Sequence, residues 1–273
     1  MNNIERRDAG LPYISDAEVL EQQKPARRLT QELNTADRSD FDKIGAIVKE
    51  LLGKSNGAFI NPPFYCDYGF NIEVGKNFFA NYNCTILDVG KVTIGDNCQM
   101  APNVAIYTAG HPVHPDSRNS AYEYGIPVSI GDNCWIGGNS VICPGVKIGN
   151  NVIIGAGSVV TKDIPDWAIA AGNPCKVIRM ITDEDRKYYY KNNEFDEEAW
   201  NDLAARGFAG TENKNYAVKR LETYHLTPFQ MFEQGYPVEQ LAAQIPLHGQ
   251  RDETVVHEFH VVDHIEHAAL YDI

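Results

Sequence analysis

Apolar residues recur every six positions through the middle of this chain: Val74, Ala80 and Ile86, then, after a two-residue slip, Ile94, Met100 and Ile106. The series resumes at Ile130 and continues through Ile136, Ile142, Ile148, Ile154 and Val160. A small or apolar residue often stands two places earlier (Cys98, Val104, Cys134, Ser140, Val146, Val152, Ser158), and a glycine often follows at once (Gly75, Gly95, Gly131, Gly137, Gly149, Gly155). Neither a helix of period 3.6 nor a two-sided strand of period 2 generates a strict six. A short-repeat parallel β-helix does, with each unit forming one flat side of a coil and its key aliphatic pointing inward. Three units, about eighteen residues, then close one triangular turn. On this reading the glycines ease the corners where the backbone turns.

The solenoid is expected over residues 58–182. It is interrupted at 107–127 (YTAGHPVHPDSRNSAYEYGIP), where Ile106 and Ile130 lie 24 residues apart, a multiple of six, so an excursion leaves the coil and returns in register. Excursions of that length in a compact repeat usually serve function. Residues 1–57 form an N-terminal helical segment: SDAEVLEQQKPARRLTQELN and RSDFDKIGAIVKELLG carry helical spacing, with Ser15 or Asp16 as N-cap, Glu18 near the capping-box position and Gly53 ending the second helix. DEDRKYYYK (183–191) reads as a short helix capping the last coil, whose interior would otherwise face water. Residues 192–273 break the pattern: EEAWNDLAARGF and PVEQLAAQI suit amphipathic helices, and ETVVHEFHVVDHI suits either a strand or a helix.

The formal net charge is −13, and from Asn192 onward there are 15 acids against 5 bases, so most of the imbalance lies in this acidic extension. A nucleic-acid partner is disfavoured, since phosphate neutralisation needs a basic surface. No run approaches the roughly 20 apolar residues of a membrane helix, and the start, MNNIERRDAG, lacks the apolar core of a secretion signal. The six cysteines show no C-x-x-C pair, and Cys98 and Cys134 occupy core positions of the repeat. Reduced thiols and a cytoplasmic location are expected.

NFFANYNCTILD (77–88), TAGHPVHP (108–115), EYGIPVSIGDNCWIGGNSVICPGVKIG (123–149) and GAGSVVTKDIPDWAIAAGNPCKVIR (155–179) resemble the maltose and galactoside O-acetyltransferase group. These are hexapeptide-repeat acyltransferases built on a left-handed parallel β-helix. The resemblance spans about residues 5–191, and the TAGHP loop combined with the TKDIP…AGNP…VIR terminus makes it specific. It implies an acetyl-CoA-dependent transfer to a sugar hydroxyl by direct attack without an acyl-enzyme, and a homotrimer with sites shared between neighbouring coils.

An O-acetyl transfer needs a base for the attacking hydroxyl, and an imidazole, with an ordinary pKa of about 6.5, suits that near neutral pH. His111 matches the family's catalytic histidine, and Pro112 restricts its backbone; His114 lines the same loop. The Gly137-Gly138 pair could present an N–H to a developing oxyanion. On the acceptor side Asn81 corresponds to the family's substrate-contacting asparagine, and Asp16 lies one place off a sugar-holding aspartate of the N-terminal helix. Glu123, just past the loop, is a further candidate for hydroxyl or histidine contact, as is Asp67. Asp67 falls where the galactoside enzymes carry a small hydroxyl residue and Val89 where they carry an aspartate, which pulls the reading toward glucose or maltose. For coenzyme A, Trp135 matches the tryptophan flanking the pantetheine arm, Gly138, Ala156 and Thr161 match contacts along it, and Lys162, Lys176 and Arg179 match positions near the nucleotide end, where bases suit phosphates. No metal is required.

A xenobiotic or serine O-acetyltransferase is the nearest rival, against which the sugar-type N-terminal helices argue. A γ-class carbonic anhydrase needs three zinc histidines, whereas residues 58–180 hold only His111 and His114. A non-catalytic scaffold whose acidic tail binds a partner is the third alternative. His257, His260, His264 and His267 cluster in the tail at spacings compatible with one helix face.

Overall fold

The computed structural model describes residues 1–208, of which Met1–Asp183 form one compact unit and the chain from Glu184 belongs to a second. In the first, short strands stack in parallel into the three faces of a β-helix. One face stacks Lys54–Asn56, Ile72–Lys76, Val92–Ile94, Val128–Ile130 and Lys147–Ile148. The next stacks Phe59–Ile60, Phe79–Ala80, Gln99–Met100, Trp135–Ile136, Ile153–Ile154 and Ala168–Ala171, and the third Phe64–Cys66, Cys84–Leu87, Ala105–Tyr107, Val141–Ile142 and Val159–Val160. The register is the six-residue period made spatial. Val74, Ile94, Ile130 and Ile148 lie in line on one face, Ala80, Met100, Ile136, Ile154 and Ala170 on the next, and Ile86, Ile106, Ile142 and Val160 on the third. All are buried, so each inward residue packs on its equivalents above and below. The strands start at Lys54, a little before the expected boundary.

The corners are made differently from the expectation. The left-handed residues there are mostly asparagines, Asn77, Asn83, Asn97, Asn103, Asn133, Asn139 and Asn151, with φ between 56° and 62°. Asparagine tolerates this region better than other side chains. Their amides join into a ladder: Asn77 donates to Asn97 at 2.9 Å, Asn97 to Asn133 and Asn133 to Asn151 at 3.0 Å each. Gly75, Gly95, Gly131 and Gly149 do not have positive φ. They are glycines because the next coil comes too close: a Cβ on Gly95 would lie 2.7 Å from the amide nitrogen of Asp132, and one on Gly149 2.5 Å from that of Asp166. That approach lets Asp132 accept from the Asp96 N–H, and Asp166 from the Asn150 N–H, at 2.8 Å each.

Four helices precede the coils: α1 (Asn3–Asp8), α2 (Ala17–Glu21), α3 (Lys24–Thr35) and α4 (Phe41–Leu51). The long helix expected from SDAEVLEQQKPARRLTQELN is divided at Gln22–Gln23, because Pro25 fits only the first turn of a new helix. α4 ends at Leu51, two residues before Gly53. Leu29, Leu33, Ile44, Ile47, Val48 and Leu51 share one core with Ile60, Phe64 and Ile72, so α3 and α4 close the first coil. Asn34 fastens α3 there, donating to the Phe64 carbonyl at 3.0 Å and accepting from its N–H at 2.8 Å. At the far end, Lys176–Met180 adds antiparallel to Ala168–Ala171.

The excursion is itself folded. Ala109–Gly110 and Tyr122–Gly125 pair antiparallel, Tyr13–Ile14 pairs on the other edge of the second, and α5 (Pro115–Asn119) occupies the tip. In the second unit the helix expected at 183–191 is instead a 3-10 turn, Asp183–Lys187, followed by Tyr188–Tyr190, which pairs antiparallel with Asn193–Glu194. Three consecutive tyrosines favour a strand, and Lys191, at φ 51°, makes the turn. α6 (Glu197–Ala205) lies in the segment expected to be helical and is capped by Asp196. The remainder of the acidic extension, including PVEQLAAQI and the histidines 257–267, lies outside the described residues.

Candidate active site

His111 emerges at the end of the Ala109–Gly110 strand. The last pair of that ladder is Gly110 with Tyr124, so His111 and Glu123 are each the next residue beyond it, Glu123 on the central strand of the three and paired with Tyr13. The close packing of Gly110 on the Tyr124 ring permits this: a Cβ on Gly110 would lie 2.6 Å from the ring. The His111 side chain is exposed. The turn after it is held by Arg118 of α5, whose guanidinium donates to the carbonyls of Val113 at 2.8 Å and Pro112 at 3.3 Å. His114 caps α5, accepting from the Asp116 N–H at 3.2 Å.

Glu123 accepts a hydrogen bond from the Ser15 hydroxyl, which comes from the segment between Tyr13–Ile14 and α2. Asp67, just after Phe64–Cys66, faces the same place. Burial, reinforced by the negative charges of Asp88 and Glu123 and opposed by Arg27, pushes its carboxyl up to about 6. Asp88 is fully buried and its carboxyl is also raised, chiefly by burial. The Tyr13 phenol, buried beside Tyr68 and Glu123, is pushed up as well. Ser15 and Glu123 are thus hydrogen-bonded at the foot of the excursion, and Asp67 and Tyr13 lie close enough to feel the Glu123 charge, with Asp88 buried behind Asp67. Asp88 was not among the residues singled out from the sequence; the signal for it is the slip between Ile86 and Ile94, where it sits.

The other acceptor-side residues make no hydrogen bond to this group's side chains among the described residues. Asp16 is the N-cap of α2, accepting from Val19 N–H at 3.0 Å and from the Asn3 amide at 2.8 Å, and these bonds hold its carboxyl below the usual carboxylate range. Its observed work is to join α1 to α2. Asn81 stands at a coil corner and accepts from the Tyr82 N–H at 2.8 Å. Among the described residues no hydrogen bond joins it to the His111 loop. Val89 is buried with Tyr13, Val19 and Tyr68, so the position offers packing rather than a polar contact.

On an outer face, Trp135 is 53% exposed. It heads a row running up the stack through Ile153 and Ile169 to Arg179. Three strand spacings make this an apolar strip about 14 Å long with a guanidinium at its end. Lys176 is exposed on the same last strand, and Thr161 and Lys162 are exposed just after Val159–Val160. Ala156 is exposed at the corner after Ile153–Ile154, where Gly137 lets two coils meet: a Cβ there would lie 2.5 Å from the Ala156 nitrogen. Gly138 has slightly more room, with the Pro102 carbonyl 3.1 Å from the place of a Cβ.

A three-faced stack of six-residue units, an exposed histidine on its folded excursion and an apolar strip ending in bases define a hexapeptide-repeat acyltransferase. Residues 127–162 match the family described as bacterial transferase hexapeptide (six repeats), and residues 6–57 match the maltose acetyltransferase hexapeptide capping motif. The chain is 46% identical over 194 residues to the galactoside O-acetyltransferase of Escherichia coli, covering 70% of this chain and 96% of the relative. A solved structure of a galactoside acetyltransferase in complex with coenzyme A superposes with a TM-score of 0.70 at 45% identity, over 72% of this chain and all of that one. A maltose O-acetyltransferase from Clostridium difficile 630 gives 0.65 at 48% identity, over 67% and 98%. The chain belongs to the maltose and galactoside O-acetyltransferase group of the hexapeptide-repeat acyltransferases.

Proposed function

We propose that this chain transfers acetyl from acetyl-CoA to a hydroxyl of a sugar of the maltose or glucose type, with His111 as general base. The observation that supports this reading is the strand pairing of the excursion, in which exposed His111 follows Gly110 and Glu123, bonded to Ser15, precedes Gly110's partner Tyr124. Such a site offers carboxylate oxygens to vicinal hydroxyls, and charge-assisted hydrogen bonds of this kind are strong. The acid at Asp67 and the buried apolar Val89 favour glucose or maltose over a galactoside.

The strip from Trp135 to Arg179 matches the needs of the acyl donor: an apolar wall for an extended pantetheine arm, flanked by Gly138, Ala156 and Thr161, then Lys162, Lys176 and Arg179 for phosphates. In support, a similar protein of known structure is in complex with coenzyme A. With both substrates bound, an imidazole nitrogen of His111 takes the hydroxyl proton as the sugar oxygen attacks the thioester carbon. The resulting oxyanion needs preorganised donors, for which backbone N–H groups near Gly137-Gly138 are the candidates. Collapse breaks the C–S bond, and the imidazolium returns its proton to the departing sulfur, leaving an acetyl ester and a free thiol. No residue is acylated and no metal is needed. The working enzyme is a cytoplasmic homotrimer in which the strip and Asn81 of one copy meet the excursion of the next; Val113, 93% exposed at the excursion's tip, suits such a contact.

The test is thiol release from acetyl-CoA with a panel of maltose, glucose, a β-galactoside, serine and chloramphenicol. Maltose or glucose is expected to support the fastest turnover, and His111→Ala to lower it about 10²–10⁴-fold, the usual contribution of a positioned base. Near-normal turnover in that variant removes His111 from the mechanism, and preference for serine or chloramphenicol replaces the sugar assignment.

A further inference from the structure

We propose that Asp88, at the two-residue slip in the repeat, is a positioning residue that holds Asp67 in place for the acceptor and ties it to the excursion bearing His111. The proposal rests on the reading of Asp67 as an acceptor contact.

The slip departs from the architecture around it. Elsewhere the key aliphatics follow one another at six residues, but Ile86 and Ile94 are eight apart, and between them stands a carboxylate with no exposed surface. Burying an ionisable group without a partner is costly. Asp88 has no Lys or Arg ion-pair partner among the described residues, and its Oδ2 makes no hydrogen bond there. Packing alone would be served better by an apolar residue.

What the carboxylate does is grip the coil below. Oδ1 accepts from the N–H groups of both Asp67 and Tyr68 at 2.9 Å. The Asn71 amide donates to the main-chain carbonyl of Asp88 at 2.7 Å. Residues 67–71 are therefore pinned at both ends by one residue of the slip. The same slip is bolted to the excursion through Thr108. The Gly90 N–H donates to the Thr108 hydroxyl at 2.8 Å, that hydroxyl donates to the Leu87 carbonyl at 2.6 Å, and the Ile126 N–H donates to the Thr108 carbonyl at 2.8 Å. Gly90 and Gly125 pack too closely for side chains: a Cβ on Gly125 would lie 2.6 Å from the Gly90 nitrogen. Leu87–Gly90 thereby sets the separation between Asp67 on one coil and the feet of the loop that carries His111 and Glu123.

Asp88 also acts through charge. The groups facing Asp67 are Asp88 from the slip and Glu123 from the excursion, which raise its proton affinity, and Arg27 from α3, which lowers it. The Cys66 thiol, itself beside Asp67 and Asp88, is raised by burial and stays neutral. Where Asp88 is ionised its charge opposes that of Asp67, so a neutral side chain in its place eases the ionisation of Asp67.

The experiment measures kcat and the KM of sugar and of acetyl-CoA separately, from about pH 5 to about pH 8, in wild type, Asp88→Asn, Asp88→Ala and Asp67→Asn. Asparagine keeps the acceptor oxygen and removes the charge. Asp88→Asn is expected to leave kcat and the acetyl-CoA KM within about twofold and to move the acid limb of the sugar KM roughly one pH unit lower. Asp88→Ala, which removes the grip, is expected to raise the sugar KM about tenfold or more while the acetyl-CoA KM stays put. Should the alanine variant not fold, the asparagine variant decides. A sugar profile in Asp88→Asn superposing on wild type overturns the proposal, as does a parallel rise in both KM values with a lower Tm, which marks a merely structural residue. If Asp67→Asn leaves the sugar KM unchanged, the reading of Asp67 itself falls, and this proposal with it. A raised KM there with an unmoved Asp88→Asn profile sinks only the role of Asp88.

Discussion

Asp67 carries a stability cost that follows from its place. Its carboxyl titrates near 6, well above an ordinary aspartate, because burial and the charges of Asp88 and Glu123 disfavour the anion. Between the unfolded and folded values the native state binds more protons than the unfolded chain, so folding stability falls as pH rises through that window and is regained on acidification. Replacing Asp67 with asparagine removes the buried anion. The variant is expected to melt a few degrees higher than wild type at about pH 8 and to lose that advantage near pH 5, while its sugar KM rises. Thermal scans at the two pH values decide this; an Asp67→Asn protein that melts lower at pH 8 shows that the carboxylate contributes more than it costs. The same residue shows what a linear sequence conveys about a site. His111 stands out through a resemblance and Glu123 through its place beside the loop, but the environment that shifts Asp67 is assembled from the slip, the excursion and helix α3, and no local pattern encodes it. Asp16 makes the converse point: its carboxylate is plain to see in the sequence, and its visible work is capping α2 and bonding Asn3.

At the level of the element, the corners explain why the strands can be only two to five residues long. Short strands need turns that return the chain at a fixed angle, and the left-handed asparagines supply them while their amides bond from coil to coil. Two contributions are separable at Asn133, whose φ is 58°. Alanine loses the ladder and adds left-handed strain, of about 1–2 kcal/mol, whereas glycine loses only the ladder. Denaturant melts are expected to rank wild type above Asn133→Gly and that above Asn133→Ala; equal destabilisation of the two variants assigns the whole effect to the ladder. The six-residue period makes the stack legible from sequence because every coil repeats the same inward positions. The choice between glycine and asparagine at the corners is not legible, since it depends on atoms one coil away, such as the Asp132 amide facing Gly95. The strand Tyr13–Ile14 is hidden for a similar reason: its partner lies more than a hundred residues along, at Tyr122–Glu123. The division of the first long helix at Gln22–Gln23, by contrast, is written in Pro25.

For the whole molecule, the proposed acceptor pocket and the proposed acyl-donor strip lie on different parts of the coil, and no hydrogen bond among the described residues joins Asn81 to the His111 loop. If each working site is assembled from two copies, an intact excursion on one chain and an intact strip on another suffice. Mixing His111→Ala with Trp135→Ala chains, after dissociation and reassembly, is expected to restore measurable turnover that neither variant shows alone. Sedimentation of the mixture as trimers with no recovered activity would place each site within a single chain.

The excursion enters from Ile106 and returns at Ile130 without disturbing the alignment of Ile94 with Ile130 or of Ile106 with Ile142. It is therefore an insertion that the alignment of the coils tolerates, tied back through Thr108, Gly125 and Tyr13–Ile14. Changes confined to its tip, α5 and the residues around it, leave the stacked prism and these anchors untouched, so sequence variation there need not jeopardise folding.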